Sequence, residues 1–229
     1  MSRPLPTLPV RPPTKAEQVH DWLREAILTH GHKPGDYLNI DELARRHGVS
    51  PIPVREAVAR LATERLVVVR PHFGAEVAPL DENSVHDVFA LLEGLETASA
   101  ARVAELASAD DLAALDTLLD NLHRAAQSGD TDEWGRANAA FHLRLAGIAR
   151  LPLVQDELRV AFDHWDRIRR HFFHAVPGPR HGRAQNEHRE MVAAVRRRPA
   201  GAHQPSRRHP NPTARTNYLQ TLAAKPAPA

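Results

Sequence analysis

The longer part of the chain, from residue 81 onward, has a hydrophobic pattern that is helical throughout. Apolar side chains recur every three or four residues in five successive stripes, which lie within residues 85–95, 112–122, 134–145, 153–168 and 188–195. This spacing places the apolar side chains of each segment on one face of an α-helix. Because the connections between stripes are short, the pattern predicts an antiparallel bundle of helices.

The first third of the chain mixes helical and strand patterns. A capping-box sequence at 14–17 begins a helix that should stop near Gly31. A second helix over 41–47 ends at a glycine, and a third is capped by Ser50 and has Pro51 at its first position, where a missing N–H costs nothing. β-branched and apolar runs then predict the two strands of a hairpin, at 66–69 and 75–78. This order of elements is that of a winged helix-turn-helix. The predicted fold class is therefore mainly α, with an N-terminal winged helix-turn-helix and a C-terminal all-α antiparallel helical bundle.

The third helix has the features of a DNA-reading helix. Arg55 lies outside the apolar stripe of this helix, so its side chain should face outward, toward bases in the major groove. Arg45 and Arg46 precede the turn, where contacts with phosphates would position the module. The tip of the hairpin should approach a neighbouring minor groove. The predicted DNA-contacting residues are Arg45, Arg46, Ser50, Pro51, Arg55, His72 and Gly74.

Composition narrows the class of protein. The chain of 229 residues has no cysteine, which excludes disulfides and thiolate metal sites and favours a reducing cytoplasm. No apolar stretch approaches the ~20 residues of a membrane span, and the N-terminus lacks a signal-peptide pattern. The formal net charge is +2, but residues 1–75 carry +3, residues 76–175 carry −9 and residues 176–229 carry +8. An acidic middle between basic ends suggests different partners for different segments.

Residues 23–80 resemble the N-terminal domain of GntR-type regulators. The matching positions of the family pattern are Pro34, Gly35, Leu38, Leu43, Ala44, Gly48, Val49, Ser50, Pro53, Val54, Arg55, Glu56, Ala57 and Leu61. The resemblance implies that Arg55 contacts DNA and that the protein binds a double-stranded operator as a homodimer. Two positions depart from the family: Pro51-Ile52 stands where Arg-Thr is usual, and Arg65 stands where glycine is usual before the first wing strand.

Residues 84–222 resemble the FCD-type effector domain that accompanies this DNA-binding domain in one GntR subfamily. The most specific piece is Asn138-x-x-x-His142, combined with Glu187-His188. Residues four apart share a helix face, so Asn138 and His142 should face one cavity. The resemblance implies a divalent metal, with zinc the best match to an imidazole-rich set, and a small effector, often a carboxylate.

The fourth ligand implied by the resemblance is His209, and His203 is the alternative. Prolines 205 and 210 flank His209, and Arg198-Pro199 replaces the family's Gly-Asp turn. The family's arginine four residues before Glu96 is Leu92 here, which removes one possible partner for a carboxylate.

Together these features predict a disordered tail over 1–13, a DNA-binding domain over 14–80, an effector-binding and dimerisation domain over 81–222, and a tail over 223–229. The main hypothesis is a ligand-responsive, cytoplasmic transcriptional regulator without enzymatic activity. One alternative is a degenerate regulator whose proline-broken last helix has lost effector control. Another is a metal-dependent hydrolase using Asn138, His142 and His188, although only Glu187 is placed as a general base.

Overall fold

A computed structural model describes residues 11–70, 74–173 and 180–197, without the side chains of 101, 173 and 180–183. The chain forms two compact units, residues 1–79 and 80–229. Several sequence predictions fall outside the described residues: most of the N-terminal tail, His72 at the wing tip, and the whole segment after 197, including His203 and His209.

In its described residues, the first unit contains three helices and a three-stranded antiparallel sheet. Its elements are α1 (Lys15–Leu28), β1 (Tyr37–Leu38), α2 (Ile40–His47), α3 (Pro51–Thr63), β2 (Val67–Arg70) and β3 (Gly74–Val77). β3 lies in the centre of the sheet, between β1 and β2. In the hairpin, Val67 pairs with Val77 and Arg70 pairs with Gly74. This arrangement confirms the predicted winged helix-turn-helix.

Local signals in the sequence account for the helix boundaries of this unit. The backbone N–H of Thr14 donates to Glu17 Oε2 at 2.6 Å, and the N–H of Glu17 donates to Thr14 Oγ1 at 3.2 Å, which is the predicted capping box. Asn39 caps α2 through its side chain, and Gly48 ends α2 in the left-handed conformation, with φ of 62°. The turn between α2 and α3 is therefore fixed by glycine.

One apolar core holds the three helices against the sheet. Val54, Ala57, Val58 and Leu61, the predicted stripe of α3, are all buried. They join Leu23 and Ile27 of α1 and Leu66 and Val77 of the wing in a single cluster. The opposite face of α3 is consequently left to solvent, which positions it to meet a partner.

The second unit is a bundle of five described helices. These are α4 (Glu82–Leu106), α5 (Ala109–Ser128), α6 (Thr131–Ile148), α7 (Pro152–Phe173) and α8 (Arg180–Arg197). α4 packs against α6, α7 and α8, and α5 packs against α6 and α8. Buried apolar residues from every helix form one core, including Val85, Leu115, Phe141, Ile168 and Val192. The five predicted helical stripes between residues 85 and 195 are confirmed, each within one described helix.

The structure also departs from the sequence predictions in three details. β1 was not predicted, because two residues are too short to show an alternating pattern. Both wing strands are shifted by one residue from their predicted ranges. Ser50 holds the N-cap position of α3, but its side chain makes no capping hydrogen bond.

No helix in the described part of the chain is both long and apolar enough to cross a membrane.

Candidate DNA-reading helix and ligand cavity

The solvent face of α3 carries the predicted DNA-reading residue. Ile52, Arg55, Glu56 and Ala59 are exposed; 55 and 56 each lie three or four residues from 52 and from 59, so the four share a face. Within the described residues, no hydrogen bond or ion pair engages the guanidinium of Arg55. A guanidinium in this position can donate two parallel hydrogen bonds to a base edge.

Arg45 and Arg46 lie in the last turn of α2 and are exposed. Their surroundings differ, because the guanidinium of Arg46 stacks 5.3 Å from the centre of the Trp22 ring. The His47 ring also packs on Trp22, with ring centres 4.2 Å apart. Arg46 is thus oriented by an aromatic surface, whereas Arg45 is exposed without such a ring contact among the described residues, and its phosphate contact stays a prediction.

The start of α3 has an unusual chemistry. A serine at the N-cap normally accepts from the N–H of the second or third helical residue. Here the third helical residue is Pro53, which has no N–H, and the first is Pro51. The missing donor at Pro53 explains in part why the Ser50 hydroxyl does not cap the helix. Ser50 is exposed, so its hydroxyl can bond to an external group.

Gly74 has a conformational role in the wing. Its φ is +89°, a region that favours glycine, and a Cβ placed on it would lie 2.5 Å from the hydroxyl oxygen of Tyr37. The Tyr37 ring therefore lies across the start of β3, and any side chain at 74 would displace it. A DNA contact by Gly74 stays a prediction, while its requirement for glycine follows from the fold alone.

In the helical unit, the structure brings His142 of α6 together with His188 of α8. Their Nε2 atoms face each other at 3.1 Å, although the residues are 46 positions apart in sequence. His188 is only 4% exposed, and the Phe141 ring packs against it. Asn138 is also buried, one turn before His142 on α6. The predicted metal ligands in the described part of the chain thus lie in one region.

Sequence reasoning did not include Glu96 of α4 in this site. Its Oε1 lies 2.7 Å from Nδ1 of His142, though the two groups are not aligned as a hydrogen bond. A carboxylate at this distance favours the proton of His142 on Nδ1, which leaves the lone pair of Nε2 directed at His188. Only the packing of α4 on α6 brings this carboxylate to His142, and nothing in the sequence around Glu96 indicates that contact.

The pKa of His188 lies well below its ordinary value. Burial is the main cause, because it disfavours the charged imidazolium, and the nearby His142 adds to the effect. Neutral imidazoles are the form that binds metal ions. At a metal–nitrogen distance of about 2.05 Å, two nitrogens 3.1 Å apart subtend about 98°, between octahedral and tetrahedral coordination. The spacing of the pair and the lowered pKa of His188 fit a divalent metal.

The set of ligands is incomplete among the residues described. Within 11–70, 74–173 and 180–197, no group of three His, Cys, Asp or Glu side chains is arranged to hold a metal. Glu96 and His188 face opposite nitrogens of the His142 ring, so these three do not surround one point. Completion of a site would rest on the Asn138 amide and on His209, which lies outside the described residues.

A cavity of about 120 Å³ adjoins His142. It lies between α4, α6, α7 and α8, and its lining is mostly apolar. Glu96, Thr97, Ser99 and His142 supply its polar groups. The remaining lining residues are Ala100, Val103, Ala104, Leu145, Ala146, Leu158, Met191, Ala194 and Val195. A mostly apolar recess with a few polar groups, partly open to solvent, has the character of a small-molecule site.

Two family models match the chain. The model described as "Bacterial regulatory proteins, gntR family" covers residues 15–77, and the FCD domain model covers residues 87–210, more than half of the chain. The chain belongs to the GntR family. Within that family it has the FCD type of C-terminal domain, and the predicted family and fold class are both confirmed.

Curated relatives of this GntR protein are regulators of transcription. An HTH-type transcriptional regulator from an unstable DNA locus of Streptomyces ambofaciens is 36% identical over 184 residues, covering 80% of this chain and 75% of the relative. The HTH-type transcriptional repressor GlaR of Escherichia coli is 32% identical, covering 65% of this chain and 69% of the relative. These similarities exclude the hydrolase alternative, because the matched proteins are DNA-binding regulators and not enzymes.

Solved structures support the same fold. Escherichia coli McbR/YncC is 21% identical, with a TM-score of 0.64 over 92% of each chain. A GntR transcriptional regulator from Rhodococcus sp. RHA1 is 19% identical, with a TM-score of 0.67 over 93% of this chain and 99% of that one. At these identities the likeness extends to the architecture of the GntR protein and not to its ligands.

Proposed function

We propose that this GntR protein is a ligand-responsive regulator that reads an operator through α3 and senses a small carboxylate-like effector in a metal-containing cavity of its FCD domain. The observation that carries the sensing part is the pair of facing nitrogens of His142 and His188 beside an apolar cavity. At 3.1 Å the two ring nitrogens can share one N–H···N hydrogen bond, and a metal ion bound between them would take the place of that bond. The resemblance of Asn138, His142 and His188 to the family's ligand set is what supports the metal.

In this proposal His142, His188 and Asn138 hold the metal, and His209 is the fourth ligand. Glu96 orients His142 by its contact with the opposite ring nitrogen. The metal would supply positive charge next to a cavity whose lining, among the described residues, includes the carboxylate of Glu96 but no arginine or lysine. Leu92 stands where the family usually has an arginine. The charge of the metal would replace the charge of that arginine and allow a carboxylate to bind.

The proposal also includes a cytoplasmic homodimer. An effector then acts by favouring one spacing of the two DNA-reading units over another, which requires different affinities for the two arrangements. One short helix reads too few base pairs for useful specificity. Symmetric pairing of two protomers doubles the number of base pairs read.

Zinc binding by the isolated protein tests the sensing site. After treatment with a chelator, addition of Zn²⁺ should raise the melting temperature of the parent, because a metal that binds only the folded state stabilises it by mass action. At one hundred times the dissociation constant the gain is about 2.7 kcal/mol. His142→Ala and His188→Ala should abolish the increase, and His123→Ala, at an exposed position of α5, should keep it.

Two outcomes would contradict the proposed site. A parent protein without a zinc-dependent increase would remove the metal and favour the degenerate alternative. An increase that persists in His142→Ala would place the metal elsewhere. His209→Ala decides separately whether the segment after residue 197 contributes a ligand, because its loss should weaken the increase only if that histidine coordinates.

A further inference from the structure

The first turn of α3 presents an apolar surface at the place where a recognition helix meets base edges. Ile52 is 63% exposed, although it is a large aliphatic residue in a helix with a well-formed buried face. Single exposed apolar residues are common and carry no meaning by themselves. The position of Ile52 is what distinguishes it, because N-terminal residues of a recognition helix are those that contact bases.

The two residues that flank Ile52 reduce the number of backbone donors in the first turn of α3. Pro51 and Pro53 have no N–H, so the helix start cannot offer the usual set of backbone donors to a phosphate. Arg55, three residues later, lies on the same face and is exposed. The face therefore combines one aliphatic group and one guanidinium at neighbouring positions.

We infer that Ile52 is a specificity-determining residue that selects thymine by contact with its 5-methyl group. The thymine methyl is the one apolar group that base pairs expose in the major groove, and apolar side chains recognise it. Contact with a methyl group removes apolar surface of both partners from water, which amounts to about fourfold in affinity for one methyl. A cytosine or a purine at that position would leave Ile52 against polar base edges. The inference rests on the proposed reading of an operator by α3.

Replacement of thymine by uracil tests this inference, because it removes only the methyl group and keeps base pairing. The probe is the duplex that the full-length parent selects from a random library. Each thymine of this duplex is replaced by uracil in turn. We expect one thymine in each half-site whose replacement weakens binding by the parent about fourfold. In Ile52→Ala the same replacement should have no effect. The ratio of the affinity for the thymine duplex to that for the uracil duplex should then fall to one.

Two further variants complete the experiment. Arg60→Ala, at an exposed position in the last turn of the same helix, should keep both the affinity and the thymine-to-uracil ratio of the parent. Ile52→Val, which retains branched methyl groups, should keep part of the ratio. Circular dichroism of Ile52→Ala checks that the helix is intact, as expected for an exposed side chain.

The inference is overturned if no thymine methyl affects binding by the parent, or if the effect is equal in the parent and in Ile52→Ala. Failure of the parent to select any duplex is a different result, because it overturns the proposed reading of DNA itself.

Discussion

Acid should weaken the helical unit through His188. In the unfolded chain this histidine has an ordinary pKa near 6.5, and in the folded chain its burial and the neighbouring His142 hold the pKa well below that value. Below pH 6.5 the unfolded state therefore takes up a proton that the folded state does not. The free energy of unfolding must fall as the pH falls.

The size of this effect follows from the difference in proton uptake. One group whose pKa is lowered on folding can reduce the free energy of unfolding by at most about 1 kcal/mol at pH 5.5 and about 2 kcal/mol at pH 5, the limit set by its unfolded pKa alone. Other groups also titrate in this range, so the test is the difference between variants. His188→Gln is neutral at every pH and should lose this part of the slope, while His123→Gln should keep it.

Urea unfolding of the metal-free protein at several pH values measures this difference. Trp134 and Trp165 lie in the helical unit with ring centres 5.9 Å apart, so their fluorescence reports on that unit. A Trp22→Phe background removes the third tryptophan of the chain. Equal slopes for the parent and His188→Gln between pH 7.5 and pH 5 would refute the reasoning.

Three further predictions concern the backbone, the phosphate contacts and assembly. Arg65 has a φ of 58° between α3 and β2, so Arg65→Gly should stabilise the first unit by about 1 kcal/mol in thermal unfolding, whereas Arg65→Ala should bring no gain; equal shifts would be contrary to the argument. Arg45→Ala should weaken binding to all DNA sequences and lower the salt slope of log affinity by about 1, and an unchanged slope would speak against a phosphate contact. Sedimentation at micromolar concentration should give a mass of ~50 kDa, twice the 25.4 kDa of the chain; a monomer bound to one half-site would contradict the symmetric model.

The sequence was sufficient to predict the elements whose signals are local. The capping box at Thr14 and the buried stripe of α3 are found where the pattern placed them. Each depends on residues within one or two turns of helix, whose spacing is fixed by helix geometry. The two-residue strand β1 escaped prediction because its pairing with β3 is a tertiary contact.

The candidate site was predicted in part. The spacing of Asn138 and His142 showed a shared face of α6, but the approach of His188 was known only from the family resemblance. Glu96 was missed as a partner of His142, because nothing in the sequence around it indicates which helix α4 packs against. The left-handed conformation of Arg65 was not predicted, although the family usually has glycine at that position.

Binding of the selected operator by Arg55→Ala tests the central claim most directly, since Arg55 is the exposed guanidinium on the outer face of α3. Loss of a bidentate base contact should weaken binding by ~1–3 kcal/mol, or about 5- to 150-fold, and relax the preference at one base pair of each half-site. Arg60→Ala serves as the matched control and should bind like the parent. Equal affinities of the parent and Arg55→Ala for the operator would contradict the assignment of α3 as the DNA-reading helix.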